Sequence, residues 1–148
     1  MRFFVSLGEN QLFLTALMAW LLAQTVKVAI GVVREKRFNF RWFVGTGGMP
    51  SSHAATVSAL ATCTGFTYGF SSPLFAIAFF FAFIIMFDAQ GVRRQSGQQA
   101  EILNKIIEDI YLQKGVKQER LIELLGHTPI QVFIGAALGV IVAIISYR

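Results

Sequence analysis

The chain has 148 residues, of which 55% are hydrophobic and 14% are charged, and its formal net charge at pH 7 is +5. An ordinary soluble domain carries about 25% charged residues, so this composition excludes that class and indicates a membrane protein, while the length predicts one domain over residues 1–148. Much of the positive charge lies in one short segment, and no basic run is interleaved with exposed aromatic residues, so we expect no nucleic-acid partner.

Four apolar segments predict an all-α membrane bundle with four transmembrane helices. The first, residues 12–33, is long enough to cross about 30 Å of hydrocarbon, and its length together with Glu9 in front of it favours a retained helix over a cleaved signal peptide. Residues 54–70 and 73–87 are separated by a two-serine turn, and a proline opens the later helix. Residues 130–147 form the fourth predicted span.

Two polar connections lie on the same face of the membrane once the chain has crossed four times. Residues 34–53 are rich in arginine and lysine, and residues 89–128 contain an amphipathic stretch with apolar residues at helical spacing: Leu103, Ile106, Ile107 and Ile110. We expect this stretch to form a helix that lies on the membrane surface or caps the bundle. The positive-inside rule places this face in the cytoplasm and the protein in the inner or plasma membrane.

Positively charged side chains approach that face from the first span. Lys27 lies inside the span and Arg34 follows seven residues later, so both share one helix face about 10 Å apart along the axis. An intramembrane lysine indicates either a functional site or a side chain that snorkels to the interface, and both interpretations stay open. Arg34 can equally serve only as a topology signal.

The stretch VGTGGMPSSHAAT, residues 44–56, combines glycines, serines and a histidine at the start of the second span. Gly47 and Gly48 permit backbone conformations that direct several N–H groups towards one point, and a Pro-Ser-Ser sequence is typical of a first helical turn. Exposed N–H groups at a helix start attract anions, phosphate above all. We therefore predict a phosphate-binding wall formed by these glycines together with Ser51 and Ser52.

Both histidines of the chain lie at predicted helix starts on this face. His53 follows the two serines, and His127 precedes the fourth span with Thr128 as the expected N-cap. The end of the third span brings three charged residues to the same face: Asp88, Arg93 and Arg94. The sequence has no cluster of carboxylates or cysteines, so we expect neither a metal nor a cofactor, and the two histidines with their cations indicate phosphoryl transfer through a histidine.

Three stretches, GGMPSSHAA, DAQGVRRQSGQQAEILN and LLGHTPIQVFIGAALG, resemble the divergent branch of the type 2 phosphatidic acid phosphatase superfamily, which is related to acid phosphatases and vanadium-dependent haloperoxidases. The resemblance covers nearly the whole chain. It implies a metal-independent membrane phosphatase that acts on a lipid or isoprenoid phosphate through a phosphohistidine. The alternative is a non-catalytic or transport-related protein that binds phosphorylated lipid, and haloperoxidase activity is the least favoured.

The first two motifs of the superfamily match with one difference each. Lys27 and Arg34 match the first motif (lysine, six residues, arginine, proline), and Glu35 stands at the proline position. The second motif, Pro-Ser-Gly-His, is matched by residues 50–53, with Ser52 in place of the glycine.

The third motif, Ser-Arg, five residues, His, three residues, Asp, is matched only at its histidine. His127 occupies that position, whereas Leu121 and Gln131 stand at the arginine and aspartate positions. We expect Arg93 or Arg94 to supply the missing cation.

The resemblance implies a role for each matching residue. His127 would attack phosphorus, and His53 would protonate the leaving oxygen. Gln131 could orient His127, and Asp88 could supply the negative charge that the usual aspartate carries. The phosphoryl oxygens would be held by the remaining polar residues: Lys27, Arg34, Ser51, Ser52 and Arg93 or Arg94.

The last span contains the sequence GAALG, in which Gly135 and Gly139 share one helix face. Such small-residue pairs let helices approach closely inside lipid. This face can pack within the chain's own bundle or against a second copy, and we expect a homodimer whose contacts include it.

Overall fold

The computed structural model describes residues 2–36, 48–111 and 127–147, with the backbone alone at 2–4, 92–97 and 108–111. All regular secondary structure in these ranges is helical, which confirms the all-α class. The helices in chain order are α1 (Arg2–Gly8), α2 (Gln11–Glu35), α3 (Ser52–Tyr68), α4 (Pro73–Gln90), α5 (Val92–Tyr111) and α6 (Pro129–Ser146). The sequence analysis did not predict the short helix α1.

Three of the described helices, α2, α4 and α6, are long and apolar enough to cross a membrane. The second predicted span, α3, is shorter, with 17 residues and a length of about 26 Å. It nevertheless runs beside α6 over its whole length. At one end the Ser51 N–H donates to the Gln131 carbonyl over 3.0 Å, and at the other the Tyr147 hydroxyl donates to the Phe66 carbonyl over 2.7 Å.

Each helix of the bundle begins at a side chain that caps its first turn. Four residues accept a hydrogen bond from the backbone N–H three positions later: Asn10, Ser51, Ser72 and Thr128. Pro73 and Pro129 occupy the first helical positions of α4 and α6, where no N–H is required. These caps satisfy donors that a helix start otherwise leaves without a partner, and the predicted cap at Thr128 is confirmed.

The helix at the centre of the bundle is α3, which contacts α2, α4 and α6. It is antiparallel to α2, since the Cys63 Sγ near its end lies 3.9 Å from the Thr15 Oγ1 near the start of α2. The start of α2 also meets the end of α6, where Gln11 Nε2 donates to the Ser146 carbonyl over 3.1 Å. One end of the bundle therefore gathers the end of α2, the start of α3, the end of α4 and the start of α6.

Small residues fill the space between these helices. One buried cluster joins α2, α3 and α6 through mostly alanine side chains: Ala19, Ala23, Ala55, Ala59 and Val142. The closest approach is between α3 and α6, because a Cβ atom built at Gly135 would collide with the carbonyl oxygen of Ser51. A Cβ atom at Gly139 would collide in the same way with the carbonyl oxygen of Ala55.

This packing corrects the expectation that the Gly135–Gly139 face mediates a homodimer. The face is buried against the backbone of α3 within one chain, so a second copy cannot reach it. The physical reason is that α3 offers a complementary row of small residues, which allows the close backbone approach that lipid-embedded helices favour. A homodimer through another surface stays a prediction.

The outer faces of the bundle carry large apolar side chains. On α4 most of the phenylalanines are exposed, among them Phe80, Phe83 and Phe87. In water a surface of this kind would drive aggregation, whereas in a bilayer it faces hydrocarbon. The small-residue packing between the helices and the apolar outer surface are together typical of a helical membrane protein.

The amphipathic helix expected after the third span is α5. It packs against α4, and Leu103 and Ile106 are exposed on one side of it together with Ile102. On its polar side Lys105 Nζ lies 2.9 Å from Glu101 Oε1, one helical turn away. The expected apolar stripe is thus present over these residues, and the side chain of Ile110 lies outside the described residues.

The contact between α6 and α3 predicts that Gly139→Ala destabilises the protein. The added methyl group must displace the backbone of Ala55, at a cost of about 1–3 kcal/mol. Thermal unfolding in mild detergent can be followed with a thiol-reactive fluorophore, because Cys63 is the one cysteine of the chain and is buried. Ala137→Leu, on the exposed face of α6, is the control and should leave the midpoint unchanged. An equal midpoint for both variants would contradict this packing.

Candidate functional site

The end of α4 and the starts of α3 and α6 meet at one end of the bundle. The His127 N–H donates to the carbonyl of Ala89 over 3.1 Å, which ties the start of α6 to the end of α4. Below this bond, Ala54, Ala89 and Val132 form a buried cluster with one residue from each of the three helices. The three helix ends are therefore held together by backbone hydrogen bonding and by small-residue packing.

The two histidines face each other at this point. Their ring centroids are 6.3 Å apart and the ring planes are inclined by 59°. His127 is buried, with 4% of its surface exposed, while His53 in the first turn of α3 is half-buried. The structure thus brings together the two residues that the sequence analysis placed at separate helix starts.

The amide side chain of Gln131 fixes the orientation of His127. Its Oε1 accepts the backbone N–H of Thr128 over 3.0 Å, as part of a capping box in which Thr128 Oγ1 accepts the Gln131 N–H. The same Oε1 lies 3.2 Å from Nδ1 of His127. Since the capping bond requires an oxygen at this position, the hydrogen-bond network assigns the proton of His127 to Nδ1 and leaves the lone pair on Nε2.

Lys27 of α2 is buried against the segment that precedes α3. Only 8% of its surface is exposed. A Cβ atom built at Gly48 would lie 3.3 Å from Cγ and 3.4 Å from Cδ of this lysine, so the aliphatic stem passes directly against the glycine. Gly48 has a φ of +82°, a conformation that favours glycine, so both the backbone and the lysine stem require this residue. The lysine is packed inside the protein instead of extending along an exposed face.

The two serines of the predicted phosphate wall are buried at the start of α3. The Ser51 hydroxyl accepts the Ala54 N–H over 3.4 Å and so serves as the helix cap. Ser52 is the first residue of the helix, and its carbonyl accepts the hydroxyl of Thr56 over 2.7 Å. The structure therefore shows Ser51 as the cap of α3. The positive end of the α3 dipole lies beside His53.

The other predicted residues are placed as follows. Arg34 lies in the last turn of α2, two turns beyond Lys27, and its side chain is exposed. Asp88 is half-buried in the last turn of α4, directly before the residue whose carbonyl binds His127. The backbone of Arg93 and Arg94 belongs to the first turn of α5. Their side chains lie outside the described residues, as do Gly47 and Leu121.

One backbone contributor to this site and one buried polar residue of α2 were not predicted from the sequence. The carbonyl of Ala89 anchors His127, and no side-chain pattern can reveal a backbone acceptor. Gln24 is buried in α2 one turn before Lys27, with 5% of its surface exposed. A glutamine inside an apolar span, three residues before a lysine, was the signal that could have identified it.

Within the described residues, no group of three or more histidine, cysteine, aspartate or glutamate side chains could hold a metal ion. Among the described residues, three cationic side chains belong to this end of α2: Lys27, Arg34 and Lys36. The geometry is that of two opposed imidazole rings beside a helix start, with a buried lysine on the neighbouring helix.

Comparison with known proteins identifies the family of this chain. The model of the divergent PAP2 family matches residues 8–142. The chain is also 40% identical, over 152 aligned positions, to the uncharacterized membrane protein YuiD of Bacillus subtilis (strain 168), and the alignment covers 95% of this chain and 96% of that protein. No solved structure matches the chain significantly. Because the family model spans nearly all of the sequence, including both histidines, the chain belongs to the divergent PAP2 family.

Proposed function

We propose that this protein is a membrane phosphatase that hydrolyses a lipid or isoprenoid phosphate through a phosphohistidine at His127. The observation that carries the proposal is the pair of opposed rings, 6.3 Å apart, of which one is oriented by Gln131. Reacting atoms in a near-attack geometry are about 3–3.5 Å apart, so a phosphoryl group between the rings can approach both of them. The end of a membrane-spanning bundle is also where the phosphate of a lipid would lie.

The reaction proceeds in two displacements. The Nε2 lone pair of His127 forms a bond to phosphorus while the bond between phosphorus and the leaving oxygen breaks, and protonated His53 donates its proton to that oxygen. The lipid alcohol, or a lipid monophosphate in the case of a diphosphate substrate, then departs. In the second step neutral His53 takes a proton from water, the water oxygen attacks phosphorus, and the P–N bond breaks to return its electron pair to Nε2. The products are the alcohol or monophosphate and inorganic phosphate.

Positive charge on the non-bridging oxygens is the other requirement. Phosphoryl transfer is accelerated mainly by positioning and by electrostatic stabilisation of these oxygens. Lys27 is buried and its stem packs against Gly48, four residues before α3, whose dipole is positive at this end. We assign its ammonium group to these oxygens. We assign Arg34, Arg93 and Arg94 to the same function, together with the backbone at Ser52.

The proposed orientation follows from the arginine-rich connection at this end of the bundle. Residues 34–41 contain three arginines and one lysine, so the positive-inside rule favours a cytoplasmic site in the inner or plasma membrane. The substrate is then a phosphorylated lipid or isoprenoid of the cytoplasmic leaflet.

A second candidate is a protein that binds phosphorylated lipid without hydrolysing it. The observation in its favour is Gln131, because a neutral amide orients His127 but does not stabilise its positively charged form as a carboxylate would. Phosphate binding without phosphate release by purified protein would select this candidate.

The two histidines are predicted to fail in different ways when replaced. His127→Ala removes the attacking atom, so no phosphoenzyme should be trapped from a labelled substrate. His53→Ala removes the leaving-group acid and should slow hydrolysis of an alkyl phosphate by about 10²–10⁴-fold, but hydrolysis of nitrophenyl phosphate much less. Phosphate release from both substrates, measured in detergent, checks this difference. Equal losses on the two substrates for His53→Ala would exclude the assigned role.

Gln131 is predicted to set the tautomer of His127. Gln131→Leu removes the acceptor for Nδ1–H, and we expect a mixture of tautomers and a fall in kcat of about tenfold, the equivalent of one lost hydrogen bond. Gln131→Glu keeps an oxygen at this position and is the matched variant, for which the tautomer should be retained. Nitrogen-15 NMR of histidine-labelled protein measures the tautomer directly, and the chain has two histidines to assign. A wild-type His127 that carries its proton on Nε2 would contradict the prediction.

Activity is predicted to persist in the presence of a chelator. Protein cations supply the positive charge in the proposed reaction, so EDTA should leave phosphate release unchanged. Vanadate, which mimics the five-coordinate transition state, should inhibit the enzyme. Loss of activity in EDTA with recovery in magnesium would show that a metal ion takes the place assigned to Lys27 and the arginines.

A further inference from the structure

One stripe of α3 is only partly covered by the other helices. Most residues of this central helix are buried, but four partly or fully exposed positions recur at intervals of three, four and seven residues: His53, Thr56, Leu60 and Thr67. At 100° per residue these four side chains fall within a sector of about 60° on the helix surface. The other partly or fully exposed residues of the helix, Thr62, Phe66 and Tyr68, lie outside this sector.

The stripe is bordered by α2 on one side and by α4 on the other. Cys63 and Ala59 of α3 contact α2, while Val57 and Ala61 contact α4 through a cluster with Ala82. Among the described residues, no Cα atom of α2 lies within 8 Å of a Cα atom of α4. The two outer helices therefore stand apart, and the exposed stripe forms the floor of a furrow between them.

The floor of this furrow is apolar although it contains threonines. The Thr56 hydroxyl donates to the Ser52 carbonyl over 2.7 Å, and the Thr67 hydroxyl donates to the Cys63 carbonyl over 2.9 Å. Thr64, which is buried at the edge of the stripe, donates in the same way to the Leu60 carbonyl. Because these hydroxyl groups bond within their own helix, the surface that lines the furrow consists mainly of the threonine methyl groups and the Leu60 side chain.

We propose that this furrow binds one hydrocarbon chain of a phosphorylated membrane lipid, with the phosphate at His53. The inference rests on the proposed function for the position of the phosphate. The furrow lies between two membrane-crossing helices, so its occupant comes from the bilayer, and its apolar floor fits an acyl or isoprenyl chain. It is continuous with the candidate site, because His53 is both the first residue of the stripe and the ring opposite His127.

The dimensions agree with this occupant. From residue 53 to residue 67 the stripe extends over fourteen residues, about 21 Å along the helix axis. Half of the hydrocarbon core of a bilayer is about 15 Å thick, so the furrow is long enough for a chain that belongs to one leaflet. A chain held there would position the phosphate end before chemistry and would favour phosphate esters with a hydrocarbon chain over esters that lack one.

Photolabelling tests the furrow without requiring turnover. The probe is a phosphonate analogue of phosphatidic acid with a diazirine at the end of one acyl chain, added to the full-length protein in phosphatidylcholine vesicles. A second arm uses a farnesyl phosphonate with a terminal diazirine, which separates acyl from isoprenyl chains. We expect the label on α3 between residues 56 and 67, and we expect inorganic phosphate in excess to reduce it.

Two substitutions that add a similar side-chain volume, one inside the furrow and one outside it, provide the comparison. Thr56→Phe fills the furrow and should reduce labelling of α3 by about tenfold, the effect of excluding about two methylene groups. Val140→Phe, on an exposed part of α6, adds similar bulk elsewhere and should leave labelling unchanged. Thr56→Val keeps the shape of the floor and should also retain the label, which separates loss of the furrow from loss of the hydroxyl.

The outcomes distinguish the furrow from the proposed function. Labelling of α3 without phosphate release by wild-type protein would keep the furrow and overturn the phosphatase. Phosphate release with label only on exposed residues of α4 or α6 would overturn the furrow and keep the phosphatase. Crosslinks between two protein chains through α3 would show that a second copy fills the furrow, and this result would also overturn the proposal.

Discussion

The backbone contact between α3 and α6 is the constraint on which the rest of the structure depends. Gly135 and Gly139 leave no room for a side chain against the carbonyl groups of Ser51 and Ala55. This close approach allows a backbone hydrogen bond between the two helix starts, in which the N–H of Ser51, the cap of α3, donates to the carbonyl of Gln131 in α6. Larger residues would separate the two helix starts, and with them the two histidines.

Gln131 links that constraint to the chemistry. Its backbone carbonyl binds Ser51, its side-chain oxygen completes the capping box with Thr128, and the same oxygen orients the ring of His127. One residue therefore fixes the start of α6, its distance to α3 and the direction of a nitrogen lone pair. An aspartate side chain is one methylene shorter than glutamine, so the capping-box contact from position 131 to the Thr128 N–H depends on the length of the glutamine side chain.

The helical class, the four main helices of the bundle and the cap at Thr128 could be predicted from the sequence because each depends on local pattern. The apolar periods, the Thr128–Pro129 start and the placement of His53 and His127 at helix starts need no knowledge of neighbours. The helix that packs against the Gly135 face could not be predicted in the same way. Small residues indicate that a close helix contact exists, but they do not indicate which helix makes it. The role of Ala89 could not be predicted either, because a backbone carbonyl leaves no signal in the sequence. The half-exposed stripe of α3 could not be predicted because it depends on the distance between α2 and α4.

The charge balance of the site explains why a neutral glutamine can stand in this place. A carboxylate at position 131, which is half-buried, would lose part of its hydration, and it would compete with an anionic ligand for nearby cations. With an amide there, the carboxylates among the described residues at these helix ends are those of Glu35 at the exposed end of α2 and Asp88 at the half-buried end of α4. In the proposed function, a site with an amide at this position is more positive before the substrate binds, and the phosphate of the substrate would supply the counter-charge. Orientation is retained through the hydrogen bond to Nδ1, so for the proposed reaction an amide stabilises the imidazolium less than a carboxylate would and leaves more attraction for a dianion.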